Sequence, residues 1–412
     1  MLPQVGYTPR IEEQITRLGS KLAYREAAEE LEQFCRIKVC QMTMQRRVLA
    51  NGGACDEERS KREVEQVVEG GVEKEGNVMM LSADGCMVPL TNGEWGEVKT
   101  MVVGIVEEEV DKQTGECVAR LKEVSTVTSR RKIRAFEELT TTELMERGLF
   151  DRKQTKQVVT VNDGADWIQN LVDYHCPEAV RITDFRHAQS YLALAGKAVF
   201  GEGSDRFNRW YACASERLLT QPPSQTLARL RLLARSTSDE TAQAVVDQAY
   251  HYFDKRKTMV DYPHFRKQPW PIGSGAVESA HKQVVQSRLK QAGMRWKDEQ
   301  LDAILSLRNL VVNNRWQSGW QTITTYRLQQ QRLHRSRPRL KNERLKETAL
   351  VQTATNALQQ ERSSPLILPA STPIAPSTTL TETENEPSHG NQREKWKPAS
   401  DHPWRQPFLS QS

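Results

Sequence analysis

Three consecutive strand-like runs, rich in apolar residues, begin near residue 78. The runs Val78 to Leu90, Val98 to Val110 and Cys117 to Val127 predict three strands, because short apolar runs bounded by turn residues are typical of strands. Thr91-Asn92-Gly93 lies between the first two runs and is typical of a hairpin turn. The pattern therefore predicts a three-stranded meander.

Helical and strand-like patterns alternate in the next part of the chain. Residues 134–148 predict a helix that ends at Gly148, Gln157 to Val161 a fourth strand and Ala179 to Thr183 a fifth. The apolar face of an intervening helix is marked by Trp167, Ile168, Leu171 and Val172, and a further helix runs from about Phe185 to Phe200. A meander followed by crossover helices is the ribonuclease H-like order. We therefore predict an α/β fold with a ribonuclease H-like mixed sheet.

The N-terminal segment has helical periodicity. Residues 11–50 predict helices, and the stretch Leu22 to Phe34 carries apolar side chains at Ala23, Ala27, Leu31 and Phe34. A second helix, Val39 to Leu49, contains Arg46 and Arg47. Two short helices around a tight connection are consistent with a helix-turn-helix whose second helix enters the DNA major groove. The alternative is a small helical cap without a role in DNA binding.

Changes in composition divide the chain into segments. Residues 205–265 lack strand-like alternation and predict a helical insertion, residues beyond about 330 are strongly basic, and the end of the chain is rich in Ser, Thr and Pro. The predicted organisation is a helix-turn-helix-like region (1–55), an acidic linker (56–76), the first part of the core (77–204), the helical insertion (205–268), the last part of the core (269–330), a basic extension (331–362) and a disordered C-terminal tail (363–412).

Three acidic residues lie where this topology could bring them together. Asp84 stands in Leu81-Ser-Ala-Asp-Gly-Cys86, Asp163 in Val159-Thr-Val-Asn-Asp-Gly164 and Glu278 in Gly273-Ser-Gly-Ala-Val-Glu278. The two aspartates follow strand-like runs, and we expect them to be neighbours because the first and fourth strands lie side by side. Glu278 opens an amphipathic helix with the apolar stripe Val277, Ala280 and Val284. Such carboxylates can hold two hard cations roughly 3.5–4 Å apart, an arrangement that serves phosphodiester cleavage.

Each carboxylate also has a simpler interpretation. Asp84 and Asp163 could belong to Asp-Gly turns, and Glu278 could be a first-turn acid that favours the helix dipole. Asp184 is expected to cap the helix that begins at Phe185, although it could compete with Asp163 as a metal ligand. His187 is either a hydrogen-bonding or DNA-contacting group near the site or a structural histidine.

Basic residues cluster just after Glu278. Lys282, Arg288, Lys290 and Arg295 are expected to contact phosphate beside an acidic metal site, and the alternative is a solvated surface. Trp296, Trp316 and Trp320 are expected to be core residues and not platforms for base stacking.

Composition adds few constraints. The 412-residue chain has a formal net charge of +5, and its seven cysteines include no Cys-x-x-Cys pair. This argues against a zinc site, so we expect the cysteines to be small core or surface residues of a protein in a reducing cytosol. No apolar run approaches the roughly 20 residues needed to cross a bilayer.

Four segments, taken in order, resemble DDE-type insertion-sequence transposases of the ISKra kind, relatives of the Mutator-like group. They are Asp163-Gly-Ala-Asp-Trp-Ile168, Ile182-Thr-Asp-Phe-Arg-His187, Pro271-Ile-Gly-Ser-Gly-Ala-Val-Glu-Ser279, and Arg288-Leu-Lys290 with Gly293-Met-Arg-Trp296. Arg308, Asn309 and Trp316 continue the pattern. The resemblance covers roughly residues 78–320.

The resemblance implies a DNA transposase that cleaves and joins strands at the ends of an insertion sequence. It implies Asp84, Asp163 and Glu278 as ligands of two Mg²⁺ ions, which Mn²⁺ could replace. The implied partners are DNA, as terminal inverted repeats and target, and further copies of the chain in a homodimer or larger assembly. A bacterial cytoplasmic location at the nucleoid would follow. A structure-specific ribonuclease H-like nuclease and an inactive DNA-binding derivative remain as alternatives.

Overall fold

The computed structural model describes residues 7–61, 77–112, 115, 117–151 and 154–333. Most of the predicted acidic linker, nearly all of the basic extension and the whole predicted disordered tail lie outside the described residues. Within the described part, no helix is both long and apolar enough to cross a membrane. Each of the seven cysteines lies in this part and is a free thiol.

Three helices form the N-terminal part: α1 (Pro9–Lys21), α2 (Tyr24–Cys35) and α3 (Gln41–Lys61). Their shared core contains Ile15, Ala27, Leu31, Met44 and Val48, all fully buried. The helix predicted from residue 22 to 34 is therefore confirmed. Of the apolar positions in that pattern, Ala27 and Leu31 are buried, whereas the side chain of Phe34 is 79% exposed. Helix α3 also continues twelve residues beyond the predicted end at Leu49.

The sheet has five strands: β1 (Asn77–Pro89), β2 (Trp95–Val110), β3 (Cys117–Ser129), β4 (Thr155–Asn162) and β5 (Val180–Thr183). Their order is β3-β2-β1-β4-β5. The β1–β2 and β2–β3 pairs are antiparallel, whereas β1–β4 and β4–β5 are parallel. This five-stranded mixed sheet is compatible with a ribonuclease H-like fold, and the predicted position of every strand is confirmed.

Alternating side chains give the sheet two buried faces. On one face, Met79 and Leu81 pack with residues of α4 (Ile133–Glu146) and α5 (Asp166–His175), including Phe136 and Ile168. On the other, Met80 joins the cluster under α6 (Phe185–Phe200). Neighbouring residues of β1 therefore serve opposite layers, as a period of two requires.

The predicted insertion is helical. It contains α7 (Asp205–Thr220), α8 (Pro223–Ser236), α9 (Glu240–Lys255) and α10 (Tyr262–Lys267). Val246, Ala249 and Phe253 of α9 are buried in the same cluster as Leu192 of α6. The insertion is thus packed on the second face of the sheet layer and does not project from it as a separate arm.

The chain then returns through α11 (Gly275–Ala280), a π-helical turn (His281–Gln286), α12 (Ser287–Leu289), a 3₁₀ turn (Asp298–Gln300) and α13 (Leu301–Val312). A further helix covers 316–333. The predicted stripe is confirmed, because Val277, Ala280 and Val284 are buried. The three tryptophans expected to be core residues, Trp296, Trp316 and Trp320, are also buried.

Side chains of α13 close the edge of the sheet at β3. Asn309 accepts the Thr128 N–H (3.1 Å) and donates to the Thr128 carbonyl (2.9 Å). Asn313 makes the same pair of hydrogen bonds with Thr126, at 2.8 and 2.9 Å. Main-chain groups that an edge strand would leave to solvent are therefore satisfied by carboxamides.

The N-terminal helices share their core with this end of the chain. Val48 belongs to the same buried cluster as Leu289, Trp296 and Leu305. At Gly52 the two helices α3 and α13 approach so closely that a Cβ atom would lie 2.2 Å from the Ala303 carbonyl oxygen. Helices α1–α3 are therefore packed against the segment that follows the helical insertion.

Candidate active site

Asp84 lies where β1 separates from β4. Main-chain pairing between these strands ends near Leu81, and side chains then continue the link: Ser82 Oγ donates to the Val161 carbonyl (2.6 Å), and Asn162 Oδ1 accepts the Ala83 N–H (2.7 Å). The next residue, Asp84, therefore stands at the mouth of the gap between the two strands. Its side chain is 36% exposed.

The expectation that Asp84 ends its strand is wrong, because β1 runs on to Pro89 in antiparallel contact with β2. Asp163, by contrast, directly follows the last residue of β4, as predicted. Its Oδ1 accepts the Ala165 N–H at 3.0 Å, and Gly164 takes the left-handed conformation (φ +91°) that this turn needs. Asp84 is therefore an interior residue of its strand, whereas Asp163 lies in the turn after its strand.

Glu278 lies in α11, and its side chain is exposed. Its neighbours Val277 and Ala280 anchor the helix in contact with β1 and β2. The expected amphipathic placement is therefore observed, with Glu278 on the solvent side of the buried stripe.

Asp184 holds the turn before Glu278. Its Oδ1 accepts the His187 N–H at 2.7 Å and caps α6, as predicted. Its Oδ2 accepts the Ser274 N–H, also at 2.7 Å, across 90 residues of sequence. Because both carboxylate oxygens accept main-chain N–H groups and the residue is buried, the structure gives Asp184 a positioning role between β5 and the glutamate helix.

The charges of Asp163 and Glu278 act on Asp84. The pKa of Asp84 is raised to about 7, first by burial, next by the negative charge of Asp163 and then by those of Glu278 and Glu97. The hydrogen bond donated by the Gly85 N–H (2.7 Å) acts in the opposite direction. An isolated carboxylate at a turn would not feel these charges, so the acids belong to one local environment.

These acids supply hard oxygen donors of the kind that Mg²⁺ prefers. Within the ranges that the structure covers, however, no group of three or more His, Cys, Asp or Glu side chains has a geometry that would hold a metal ion. The chemistry of the donor set therefore fits a hard cation, whereas its oxygens do not converge to ligand distances in this conformation.

His281 is a neighbour of Asp84 that sequence reasoning missed. Its Nδ1 lies 3.5 Å from Asp84 Oδ2, and burial lowers the pKa of the imidazole to about 4, although a hydrogen bond with the Asp84 backbone acts against this. Its Nε2 is buried without a hydrogen-bond partner in the described part of the chain. A neutral imidazole therefore packs against Asp84. Its position four residues after Val277, on the buried stripe of the helix, could have indicated it.

Comparison with known proteins identifies the family of this chain but no activity. A model of the uncharacterised protein family UPF0236 matches residues 10–319. The chain belongs to this family. No curated protein matches the sequence. Among solved structures, the Drosophila P element transposase strand transfer complex is similar over 76% of this chain and 81% of that chain, with 11% identity and a TM-score of 0.25. That score is too low for the likeness to support a function.

In this UPF0236 member, an aromatic group surrounds the predicted auxiliary residue His187. Tyr191 and Tyr252 stack with ring centroids 3.6 Å apart, and the His187 ring is 5.6 Å from Tyr191 and 6.0 Å from Tyr252. Burial lowers the pKa of His187, whereas the charges of Asp163 and Asp184 act to raise it. The imidazole is therefore close to the second aspartate and is held by aromatic contacts.

The predicted DNA-binding residues differ in their surroundings. Lys282, Lys290, Arg295 and Arg46 are exposed. Arg47 is half-buried: it lies 3.7 Å from a Glu12 carboxylate oxygen and over the ring of Tyr7. Of the exposed four, Arg46 donates to the Thr43 hydroxyl and Lys290 to the Cys86 thiol, whereas the charge of Arg47 is partly balanced by Glu12.

Arg288 is not available to DNA, and the expectation that it contacts phosphate is wrong. It is only 1% exposed, and its Nε donates to the Gly19 carbonyl at 3.1 Å. Its guanidinium lies between the aromatic rings of Tyr24 (4.6 Å) and Trp296 (5.0 Å). Arg288 instead fixes the end of α1 to the segment that follows the glutamate helix.

Proposed function

We propose that the chain is a DDE-type DNA transposase, of the ISKra kind that its sequence segments resemble, with Asp84, Asp163 and Glu278 as its catalytic carboxylates. The observation that carries the proposal is geometric: pairing of β1 with β4 brings Asp84 beside the turn of Asp163, and Asp184 ties the turn before Glu278 to the end of β5. Burial and then the charges of Asp163 and Glu278 accordingly raise the pKa of Asp84. A turn acid or a helix-dipole acid would explain any one of them, but not the placement of two at paired strands of the mixed sheet and the third on a helix that contacts β1 and β2.

Phosphodiester cleavage needs an attacking water and a stabilised leaving oxygen. Two bound Mg²⁺ ions, held by the three carboxylates, would supply both effects, and Mn²⁺ could replace them. In the cleavage step a water oxygen forms a bond to phosphorus, the bond to the 3′ oxygen breaks, and a 3′-hydroxyl leaves. In the joining step that hydroxyl forms the new bond to a target phosphate and displaces another 3′ oxygen.

The surrounding residues of this chain position the carboxylates. Asp184 fixes the turn before Glu278 through its bond to Ser274, and Asn162 ties β1 to the end of β4. His281 packs against Asp84 as a neutral imidazole, so it adds no positive charge that would compete for the carboxylate. Closure of Glu278 toward the aspartates would complete the ligand set when the substrate binds.

DNA binding is proposed at two exposed basic areas. Lys282, Lys290 and Arg295 follow the glutamate helix and would contact phosphates. The start of α3 presents Gln41, Met42 and Arg46 to solvent, as the reading helix of a helix-turn-helix does. We propose that this face reads the terminal inverted repeats and that two or more copies assemble on the DNA.

The test is a cleavage and strand-transfer assay with the inverted repeats that flank the reading frame. We expect Mg²⁺-dependent release of the ends and joining to target DNA, both lost in Asp84→Ala, Asp163→Ala and Glu278→Ala. Cleavage without joining would identify the nuclease alternative. Binding without cleavage by the wild-type protein would identify an inactive derivative and would refute the proposal.

A further inference from the structure

An arginine of the helical insertion lies beside the second aspartate. Arg256 follows the last residue of α9, and its guanidinium carbon is 4.4 Å from the centroid of the Tyr252 ring. Tyr252 itself stacks on Tyr191 of α6, with an angle of 13° between the rings. The arginine is therefore held in place by an aromatic stack that joins the insertion to the core.

The same guanidinium covers the turn that carries Asp163. A Cβ atom at Gly164 would lie 3.1 Å from Arg256 Nε and 3.2 Å from Nη2. The side chain is half-buried. Within the described residues, nevertheless, no carboxylate lies within salt-bridge distance of it. A cation next to a proposed catalytic acid is thus fixed by stacking and not by an ion pair.

This arrangement suits a phosphate ligand. A guanidinium held by a cation–π contact and without an ion pair keeps N–H groups for an acceptor, and its fork of donors matches phosphate oxygens. A second unused donor is nearby: the hydroxyl group of Tyr252 is buried without a hydrogen-bond partner in the described part of the chain, and the residue is only 6% exposed. The charge of Asp163 influences this tyrosine, which places the hydroxyl in the same neighbourhood.

We propose that Arg256 binds a phosphate of the DNA strand that lies against Asp163, so that the helical insertion supplies part of the substrate-binding surface of the active site. The inference rests on the proposed function for its substrate. The two can be tested separately, because the Arg256 contact should contribute to DNA binding whether or not the DNA is cleaved.

The first experiment measures binding to a short element-end duplex in EDTA, where no metal-dependent cleavage takes place. Each phosphate contact adds about 0.9 to the slope of log affinity against log salt. Arg256→Ala should lower the magnitude of the slope by about that amount. When salt is raised from about 50 to about 200 mM, the fold-loss of affinity should therefore be about 3.5 times smaller for Arg256→Ala than for the wild type. Arg256→Lys should keep the wild-type slope, because it retains the charge.

The matched control is Arg235→Ala. Arg235 is an exposed arginine in the last turn of α8, and the structure places no proposed catalytic residue beside it. Thermal melting of each variant establishes that it is folded. A slope for Arg256→Ala equal to those of the wild type and the control would overturn the proposal.

The second experiment locates the contact. Single phosphates of the duplex are replaced by neutral methylphosphonates, one position at a time, and binding is measured again. A substitution next to the scissile phosphate should weaken binding by the wild type several-fold and leave binding by Arg256→Ala unchanged. An identical interference pattern for both proteins would overturn the proposal. Failure of the wild type to cleave would instead count against the proposed function and leave both binding measurements interpretable.

Discussion

Replacing Asp84 with Asn should stabilise the metal-free protein at alkaline pH. The carboxylate costs free energy in the folded state, because its pKa is raised to about 7 by burial and by the charges of Asp163 and Glu278. Asn keeps the shape and can still accept the Gly85 N–H, but it carries no charge. Proteins commonly gain stability when a charged group of a functional site is replaced, so this gain is expected if Asp84 has the role proposed for it.

The magnitude follows from the pKa and the exposure. A carboxyl whose pKa rises from 3.8 to about 7 gives an upper bound of about 4 kcal/mol, at about 1.4 kcal/mol for each tenfold change. The side chain is 36% exposed, and solvent screening reduces the effect, so we expect about 1–2 kcal/mol. For a domain of this size that corresponds to a rise in Tm of about 2–4 °C.

The pH dependence has a defined sign. Because the pKa is raised on folding, the stability that the protonated Asp84 contributes is fully present below about pH 4 and is lost as pH rises through about 7. The advantage of Asp84→Asn should therefore be absent at pH 4 and complete at pH 8.

The assay is thermal unfolding in EDTA across this pH range, repeated with Mg²⁺ at pH 8. Mg²⁺ should raise the Tm of the wild type more than that of the variant. Asp166→Asn, which changes an exposed acid in the first turn of α5, is the control and should show no pH-dependent gain. If Asp84→Asn melts at or below the wild-type temperature at pH 8, the three acids do not share one environment and the reasoning fails.

Three further predictions concern other parts of the molecule. Glu278→Ala should slow Mg²⁺-dependent cleavage by roughly 10³-fold with DNA binding retained in a titration; full activity would remove Glu278 from the site. Asp184→Asn can still cap α6, but it places an amide nitrogen against the Ser274 N–H. The free energy of unfolding measured by urea denaturation should therefore fall by about 1–3 kcal/mol, and an unchanged urea midpoint would contradict the hydrogen bond to Ser274. Gly52→Ala should destabilise the protein by about 1–3 kcal/mol, because the added methyl group overpacks against α13. Gly53→Ala should stabilise it by about 0.5–1 kcal/mol, because a Cβ atom there would meet nothing within 4 Å. Effects of the same sign in both variants would refute the close contact between the two helices.

The strands could be predicted because both faces of the sheet are buried, so that a strand reads as a short, nearly continuous apolar run. Met79 and Met80 are both apolar although they serve opposite layers. The length of α3 could not be predicted in the same way. Asn51-Gly52-Gly53 resembles a turn in the sequence, and it is helical because α13 packs closely against Gly52.

The candidate site was only partly accessible from the sequence. The strand and helix patterns placed Asp163 after β4 and Glu278 at the start of its helix, but the second bond of Asp184 joins residues 90 positions apart and has no local signal. Arg288 was misinterpreted because a basic cluster normally indicates solvent exposure. Its burial depends on two aromatic rings and a main-chain carbonyl that only the folded chain brings together.

The carboxamides that close β3 also explain how a helix can lie in register with a strand. Four residues of an α-helix rise about 6 Å, and two residues of a strand rise about 6.6 Å, so Asn309 and Asn313 meet Thr128 and Thr126 one to one. A slip of β3 by a single residue would turn the paired main-chain groups away from both asparagines. Helix α13 therefore fixes the register of β3. Because the asparagines already occupy the N–H and carbonyl groups of Thr126 and Thr128, this stretch of β3 cannot pair with a strand from another copy of the chain.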